Sequence, residues 1–275
     1  MLNRTSNGKI ILPNTLLSLA DVSGNARIKQ YPSSIVLQVA NDSIFRVAGC
    51  EPQKRPYPVP SKGNGSDHER ALQVSRSRAR ASVRDIALYN NFTHFFTWTL
   101  DPNLIDRYDS TIVGKKVQTF LKNASYRKGF SYVCVGENHQ DGAIHFHGLC
   151  KLGSVRIERS TDYHTGLPIS TNRGQPVFNM VDWKLGFSTC IPIDENYERT
   201  CNYLTKYLTK DSKKIFGKWY FSSRDLVKRP AIEVLDQTID FYSFVEDNPQ
   251  LPVVPLYRDI CMAIMQVDRT PEVIQ

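Results

Sequence analysis

Long hydrophobic runs are missing from this chain of 275 residues. No stretch approaches the roughly 18 consecutive apolar residues that a membrane-spanning helix needs. The start, Met1-Leu2-Asn3-Arg4-Thr5-Ser6, is not followed by the apolar core of a secretory signal. A soluble cytoplasmic protein with no membrane partner is expected. Cysteine is sparse too: Cys50, Cys134, Cys150, Cys190, Cys201 and Cys261 include no Cys-x-x-Cys pair, which argues against a structural zinc site. Cys134, Cys150 and Cys190 fall in apolar, strand-like runs and read as reduced core residues of an intracellular protein. No Gly-x-x-x-x-Gly-Lys-Ser/Thr segment exists, and no internal repeat is visible.

What is present is apolar material for a real core, at 41% hydrophobic and 11% aromatic residues. Charge is unevenly spread. Residues 231–275 hold eight acids against Arg258 and Arg269, a net −6, which leaves +14 on the rest of a chain whose total is +8. A basic body suits a polyanion, because clustered Lys and Arg release counterions when they bind phosphates. Ordinary solubility charge is the plainer account.

The pattern divides the chain. Residues 1–50 hold a small β unit, with Ser34–Val39 and Ile44–Val47 strand-like around the turn Ala40-Asn41-Asp42-Ser43. Four prolines and two glycines make 51–66 a linker. Ser66 with Glu69 resembles a capping box, and helical periodicity runs to about Asn90. Leu72, Ala79, Val83, Ile86 and Ala87 share one face of that helix, and Arg76, Arg80 and Arg84 belong to a basic one. That face is either a solvated surface or a track for a DNA backbone. Over 67–230 a strand (His94–Leu100), a helix (Ser110–Lys128) and two strands (Ser131–Glu137, Ala143–Lys151) come first. A polar loop or protruding hairpin (152–182), a strand (Phe187–Ile193), a helix (Asn196 to about Lys210) and a last strand (Lys218–Ser222) follow. This β-α-β-β-α-β order predicts an α+β, ferredoxin-like antiparallel sheet with helices on one face and the other open to a ligand. Residues 231–275 are expected to form an acidic, helical C-terminal extension.

His145-Phe146-His147 lies on a predicted strand, so both imidazoles project from one face while Phe146 turns to the core. Glu137 sits on the neighbouring strand of the same hairpin and can add a carboxylate. Two nitrogens and one oxygen with open positions favour Mg²⁺ or Mn²⁺ beside a phosphate, with zinc also possible. Standing alone, His-x-His is better explained by two half-buried polar residues.

Tyr203-Leu204-Thr205-Lys206-Tyr207-Leu208-Thr209-Lys210 repeats Tyr-Leu-Thr-Lys. At i and i+4, Tyr203 and Tyr207 share a helical face, and Lys206 and Lys210 share an adjacent one. A phenol near pKa 10 needs a nearby cation or a polarised phosphate to act as a nucleophile. The bland alternative is an amphipathic helix. After it, basic residues interleave with Phe216, Trp219, Tyr220 and Phe221, a composition that suits single strands or simply a buried strand with charged flanks.

Taken together, these blocks resemble the HUH endonucleases, and most of all the rolling-circle replication initiators of small phages and plasmids. Phe95-Phe96-Thr97-Trp98-Thr99-Leu100 is similar to the family's first motif strand. His145-Phe146-His147-Gly148 is similar to its metal motif, and Tyr203 to Lys210 to its nucleophile motif. The resemblance covers about 70–230. It implies a metal-dependent nickase and ligase with Glu137, His145 and His147 on the metal. Tyr203 and Tyr207 would be nucleophiles assisted by Lys206 and Lys210, with Arg76, Arg80, Arg84, Thr97 and Thr99 on DNA. It further implies single-stranded DNA or an origin hairpin as substrate, a host helicase and polymerase as partners, and a bacterial host cytoplasm if the gene is carried by a phage or plasmid. A non-catalytic single-strand-binding protein and a single-strand transposase are the alternatives. Trp98 departs from the smaller aliphatic residue usual in the first motif.

Overall fold

The computed structural model describes residues 3–4, 10–11, 23–32, 34–40, 67–208, 213–240, 247, 253–258 and 262–268. The chain divides into two units, Pro60–Arg229 and a second made of Met1–Val59 with Pro230–Gln275. In the second unit, β1 (Asn3–Arg4) pairs with β2 (Ile10–Ile11), and β3 (Ser23–Gln30) pairs antiparallel with β4 (Ser34–Ala40). Tyr31 N–H donates to Ser34 O at 2.8 Å and closes the turn between β3 and β4. β4 is the strand expected from the sequence. The expected partner Ile44–Val47 and the linker 51–66 lie outside the described residues.

The larger unit begins with α1 (His68–Tyr89). Its cap is Asp67 rather than Ser66: the Asp67 carboxylate accepts from Arg70 N–H at 2.8 Å, which satisfies an orphan donor of the first turn. Ala79, Val83, Ile86 and Ala87 are buried as expected, whereas Leu72 is exposed. The reason is position, since nothing buried precedes Ala79 on this helix.

β5 (His94–Leu100) follows, its Phe96, Trp98 and Leu100 buried on one side. α2 (Ser110–Lys128) is capped by Asp109, which accepts from Thr111 and Ile112 N–H, and is stopped by Gly129 at φ 64°. β6 (Ser131–Asn138) and β7 (Ile144–Lys151) form a tight hairpin. The polar stretch after them is a hairpin whose base joins the sheet, as β8 (Ile157–Arg159) and β9 (Phe178–Met180). β10 (Gly186–Pro192), α3 (Tyr197–Thr205) and β11 (Tyr220–Ser222) complete the unit.

The sheet order is β11-β6-β7-β5-β10-β9-β8, and every neighbouring pair is antiparallel. The expected α+β ferredoxin-like arrangement is present. β5 and β6 both flank β7, so they run in the same direction and α2 makes the crossover. Val113, Val117 and Leu121 of α2 pack with Phe96, Trp98 and Phe146 in one core cluster. Trp98 fills that core where a smaller residue is usual: it lies flat on Trp183 at 4.3 Å and donates its indole N–H to Met180 Sδ at 3.2 Å. The opposite face is less open than expected, because α3 lies against β7 and α1 against α3 and β6. Cys134, Cys150, Cys190 and Cys201 are buried and free.

The C-terminal segment corrects the sequence reading. The sequence predicts a helix there, yet wherever the segment is described as regular structure over several residues it is strand: β12 (Ala231–Asp240), β13 (Val253–Arg258) and β14 (Met262–Asp268). These complete a five-stranded antiparallel sheet in the order β12-β3-β4-β14-β13. Val253-Val254-Pro255-Leu256-Tyr257 and Ala263-Ile264-Met265-Gln266-Val267 carry β-branched or aromatic residues that favour a strand once a partner edge exists. No helix among the described residues is long and apolar enough to cross a membrane.

Gly148 leaves no room for a side chain under the sheet. A Cβ there would meet the Phe96 ring at 2.4 Å and Cys134 Cβ at 2.7 Å, and both neighbours are fully buried. Gly148→Ala should therefore cost about 1–3 kcal/mol by overpacking, read as a lower urea midpoint with an unchanged slope. A midpoint equal to wild type would show that Phe96 can yield.

Candidate functional site

The pleat sorts β7 into two sets. Ile144, Phe146 and Cys150 enter the core cluster, and so His145, His147 and Leu149 point to the other side. Register carries that side across three strands. Thr99, His145 and Glu137 stand in one row, and Thr97, His147 and Val135 in the next.

Short polar contacts join the rows. Thr97 Oγ1 lies 3.2 Å from His147 Nδ1, and Thr99 Oγ1 lies 3.3 Å from His145 Nδ1. His147 Nε2 lies 3.0 Å from Glu137 Oε2. A hydroxyl can donate or accept, so Thr97 supports either imidazole tautomer. With Nε2–H donating to Glu137, Nδ1 accepts from Thr97. With a cation between Nε2 and the carboxylate, Nδ1–H donates to Thr97 instead.

Burial, then the neighbouring His145 and His139, lowers the pKa of His147 to about 4. Burial followed by His139 lowers His145 as well. Both imidazoles are thus neutral at pH 7, the form that ligates a metal. Burial raises the pKa of Glu137 against the opposing pull of His139. The His139 ring also lies 4.9 Å from that of His145. Among the described residues, no group of three or more His, Cys, Asp or Glu side chains is placed to hold a metal ion.

The two tyrosines reach the same face from α3. That helix stops at Thr205, and the chain tightens into i→i−3 bonds, with Lys206 N–H on Tyr203 O and Tyr207 N–H on Leu204 O. The Tyr207 ring stacks on His147 at 3.7 Å between centroids and 6° between planes. Its hydroxyl donates to the Tyr203 hydroxyl at 2.8 Å. Burial, and then the bond to Tyr203, pushes the Tyr207 phenol well above its ordinary value. Tyr203 is 44% exposed, with Phe95 edge-on at 5.6 Å and Lys206 Nζ 5.3 Å above its ring.

The structure therefore brings together Glu137, His145, His147, Tyr203, Tyr207 and Lys206. Lys210 lies outside the described residues. Thr97 and Thr99, expected on DNA, sit behind the histidines. Arg76 stacks over Trp219 at 5.4 Å, Arg80 is exposed, and Arg84 donates to Asn202 Oδ1 at 3.0 Å, one residue before Tyr203. Trp219 and Phe221 are buried, so the basic stretch around them is a buried strand with charged flanks.

Two residues escaped the sequence reading. Phe95 packs on Tyr203 and shares the alternation phase of Thr97 and Thr99, a signal that was available. Phe187, 70% exposed, stands opposite Thr99 in β10, and only the strand register reveals it.

Comparison with known families bears on this face. Residues 93–212 match a family model described as replication-associated protein, of the ORF2 type. No curated protein and no solved structure matches the chain. The matched span begins one residue before β5 and includes Glu137, both histidines of β7 and both tyrosines. It leaves out α1 and the five-stranded unit. This likeness is consistent with a rolling-circle replication initiator.

The stacked rings are open to direct test. Tyr207→Leu should move the His147 ring proton resonances downfield in NMR spectra, because the shielding face of the phenol is removed. Unchanged shifts would place Tyr207 elsewhere in solution.

Proposed function

We propose that this chain is a metal-dependent tyrosine nickase and ligase that opens single-stranded DNA at a replication origin and starts rolling-circle replication. The observation that carries the reading is the pair of tyrosine hydroxyls, 2.8 Å apart, held by a ring stacked on the second histidine of His145-Phe146-His147. The match to a replication-associated family supports it independently.

By chemistry the donors suit a divalent ion, and holding one requires the three side chains to converge further than they do here. Glu137, His145 and His147 offer one carboxylate and two neutral imidazoles on one face, and the Nδ1 atoms are already matched to threonine hydroxyls. Mg²⁺ or Mn²⁺ held there would polarise a bound phosphodiester.

Tyr203 is the first nucleophile. It is the exposed member of the pair, while Tyr207 is half-buried and keeps its proton. Tyr203 Oη attacks phosphorus and gives up its proton, the bond from phosphorus to the 3′ oxygen breaks, and the leaving 3′ oxygen takes up a proton in exchange to become a hydroxyl. The product is a 5′-phosphotyrosine. One phosphodiester replaces another, so the reverse reaction reseals the strand without ATP. Lys206, beside the Tyr203 ring, supplies positive charge toward the phosphate. Tyr207 is placed to make a second transfer. A host polymerase would extend the freed 3′ end while a host helicase unwinds the duplex ahead of it.

Incubation with Mn²⁺ and single-stranded DNA from the chain's own replicon should yield an SDS-resistant adduct. Tyr203→Phe should lose the first adduct, Tyr207→Phe should keep it, and the double variant should give none. An adduct that persists in the double variant would sink the nucleophile assignment.

Thr97→Val tests the metal set without turnover. It removes one hydroxyl at nearly constant volume, and loss of such a supporting partner weakens metal affinity about 10- to 100-fold. Calorimetric titration with Mn²⁺ reads this directly. Equal affinity in variant and wild type would detach Thr97 from any metal role.

A further inference from the structure

A groove of about 680 Å³ opens beside Tyr203, between α3, the end of β10 and the arm linking β8 to β9. Phe95 and Tyr203 are among its lining residues, so whatever fills it lies next to the candidate nucleophile. We propose that this groove seats the base flanking the phosphate that Tyr203 attacks, and reads that base by its edge. The inference rests on the function proposed above.

The lining chemistry carries the argument. A channel that tracks phosphates is lined by cations. Here Arg173, Arg199 and Lys206 are largely offset by Asp194 and Glu198, and the amides of Gln175 and Asn196 stand among them. Arginine, amide and carboxylate groups are the set that distinguishes bases by their donor and acceptor edges. Phe95 and Tyr203 add aromatic surface on which a base can stack.

Several of these groups are held in place. Asp194 accepts from Asn196 N–H at 3.0 Å and lies 3.8 Å from Arg173. Gln175 Nε2 donates to Pro192 O at 3.2 Å, which ties the β8–β9 arm to β10. Asn196 occupies the N-cap of α3, yet its side chain makes no capping bond to that helix. An Asn is the preferred cap because its side chain makes that bond, and here its exposed amide lines the groove instead. The arm that reads as a polar loop in sequence thus supplies one wall of a pocket beside the nucleophile.

The test is a single-stranded DNA library with a randomised segment, incubated with the full chain and Mn²⁺. Covalently attached and filter-retained strands are sequenced separately. Wild type should show a base preference next to the point of attachment. Asn196→Ala and Arg199→Ala, both exposed positions that spare the core, should reduce that preference by about 5- to 150-fold, the discrimination of one good side chain–base contact. Preference is a ratio within one pool, so it does not depend on how active each variant is. Arg80→Ala, outside the groove, should weaken binding evenly across sequences and leave the preference intact.

Identical preferences in wild type and both groove variants would overturn the proposal. So would an even loss of binding in Arg199→Ala with no change in preference, since that is the behaviour of a phosphate track. Absence of any adduct, with a preference in the retained pool that the groove variants lose, would refute the nickase reading and uphold the groove.

Discussion

Everything at this site depends on the register between β7 and its two neighbours. The side-chain period of a strand is two, so a slip of one residue would turn His145 and His147 into the core and Phe146 out of it. Phe146 and Gly148 oppose that slip from below. Phe146 is fully buried, and the Phe96 ring occupies the space that any side chain at position 148 would need. Hydrophobic packing on one face thereby aims the polar chemistry on the other. The Gly following the second histidine belongs to the packing half of that arrangement.

Burial has a second consequence across the sheet. His147 is only 9% exposed, and desolvation moves its pKa still further below neutrality. The α3 segment contributes to that burial by laying Tyr207 over the imidazole. One contact therefore fixes a phenol above the candidate metal face and helps hold the imidazole in its ligating form. Removing either ring alters the environment of the other, so their effects should not add.

Local periodicity made part of this legible in the sequence. His145 and His147 share a face because strands alternate, Glu137 joins them because a short turn closes the hairpin, and the two tyrosines meet because four residues separate them. What the sequence did not disclose depends on pairing between distant segments. Thr97 and Thr99 read as surface hydroxyls until β5 is set beside β7. Phe187 is an ordinary strand residue until β10 is set beside β5. The C-terminal strands were missed for the same reason. β12 pairs with β3 about 200 residues earlier in the chain, and propensity alone cannot announce an edge that distant.

The two tyrosines are chemically alike and structurally unequal, and the inequality begins where α3 ends. Had the helix continued, Tyr203 and Tyr207 would be successive members of one exposed face. Instead the chain tightens after Thr205. Tyr207 is half-buried on His147, while Tyr203 stays in the helix with its ring toward Phe95 and the groove. The hydrogen bond runs from the buried phenol to the exposed one. An oxygen that accepts a hydrogen bond is better able to carry negative charge, and the exposed oxygen is also the one a strand in the groove can reach. A single helix ending thus makes the two copies of a repeated motif structurally unequal.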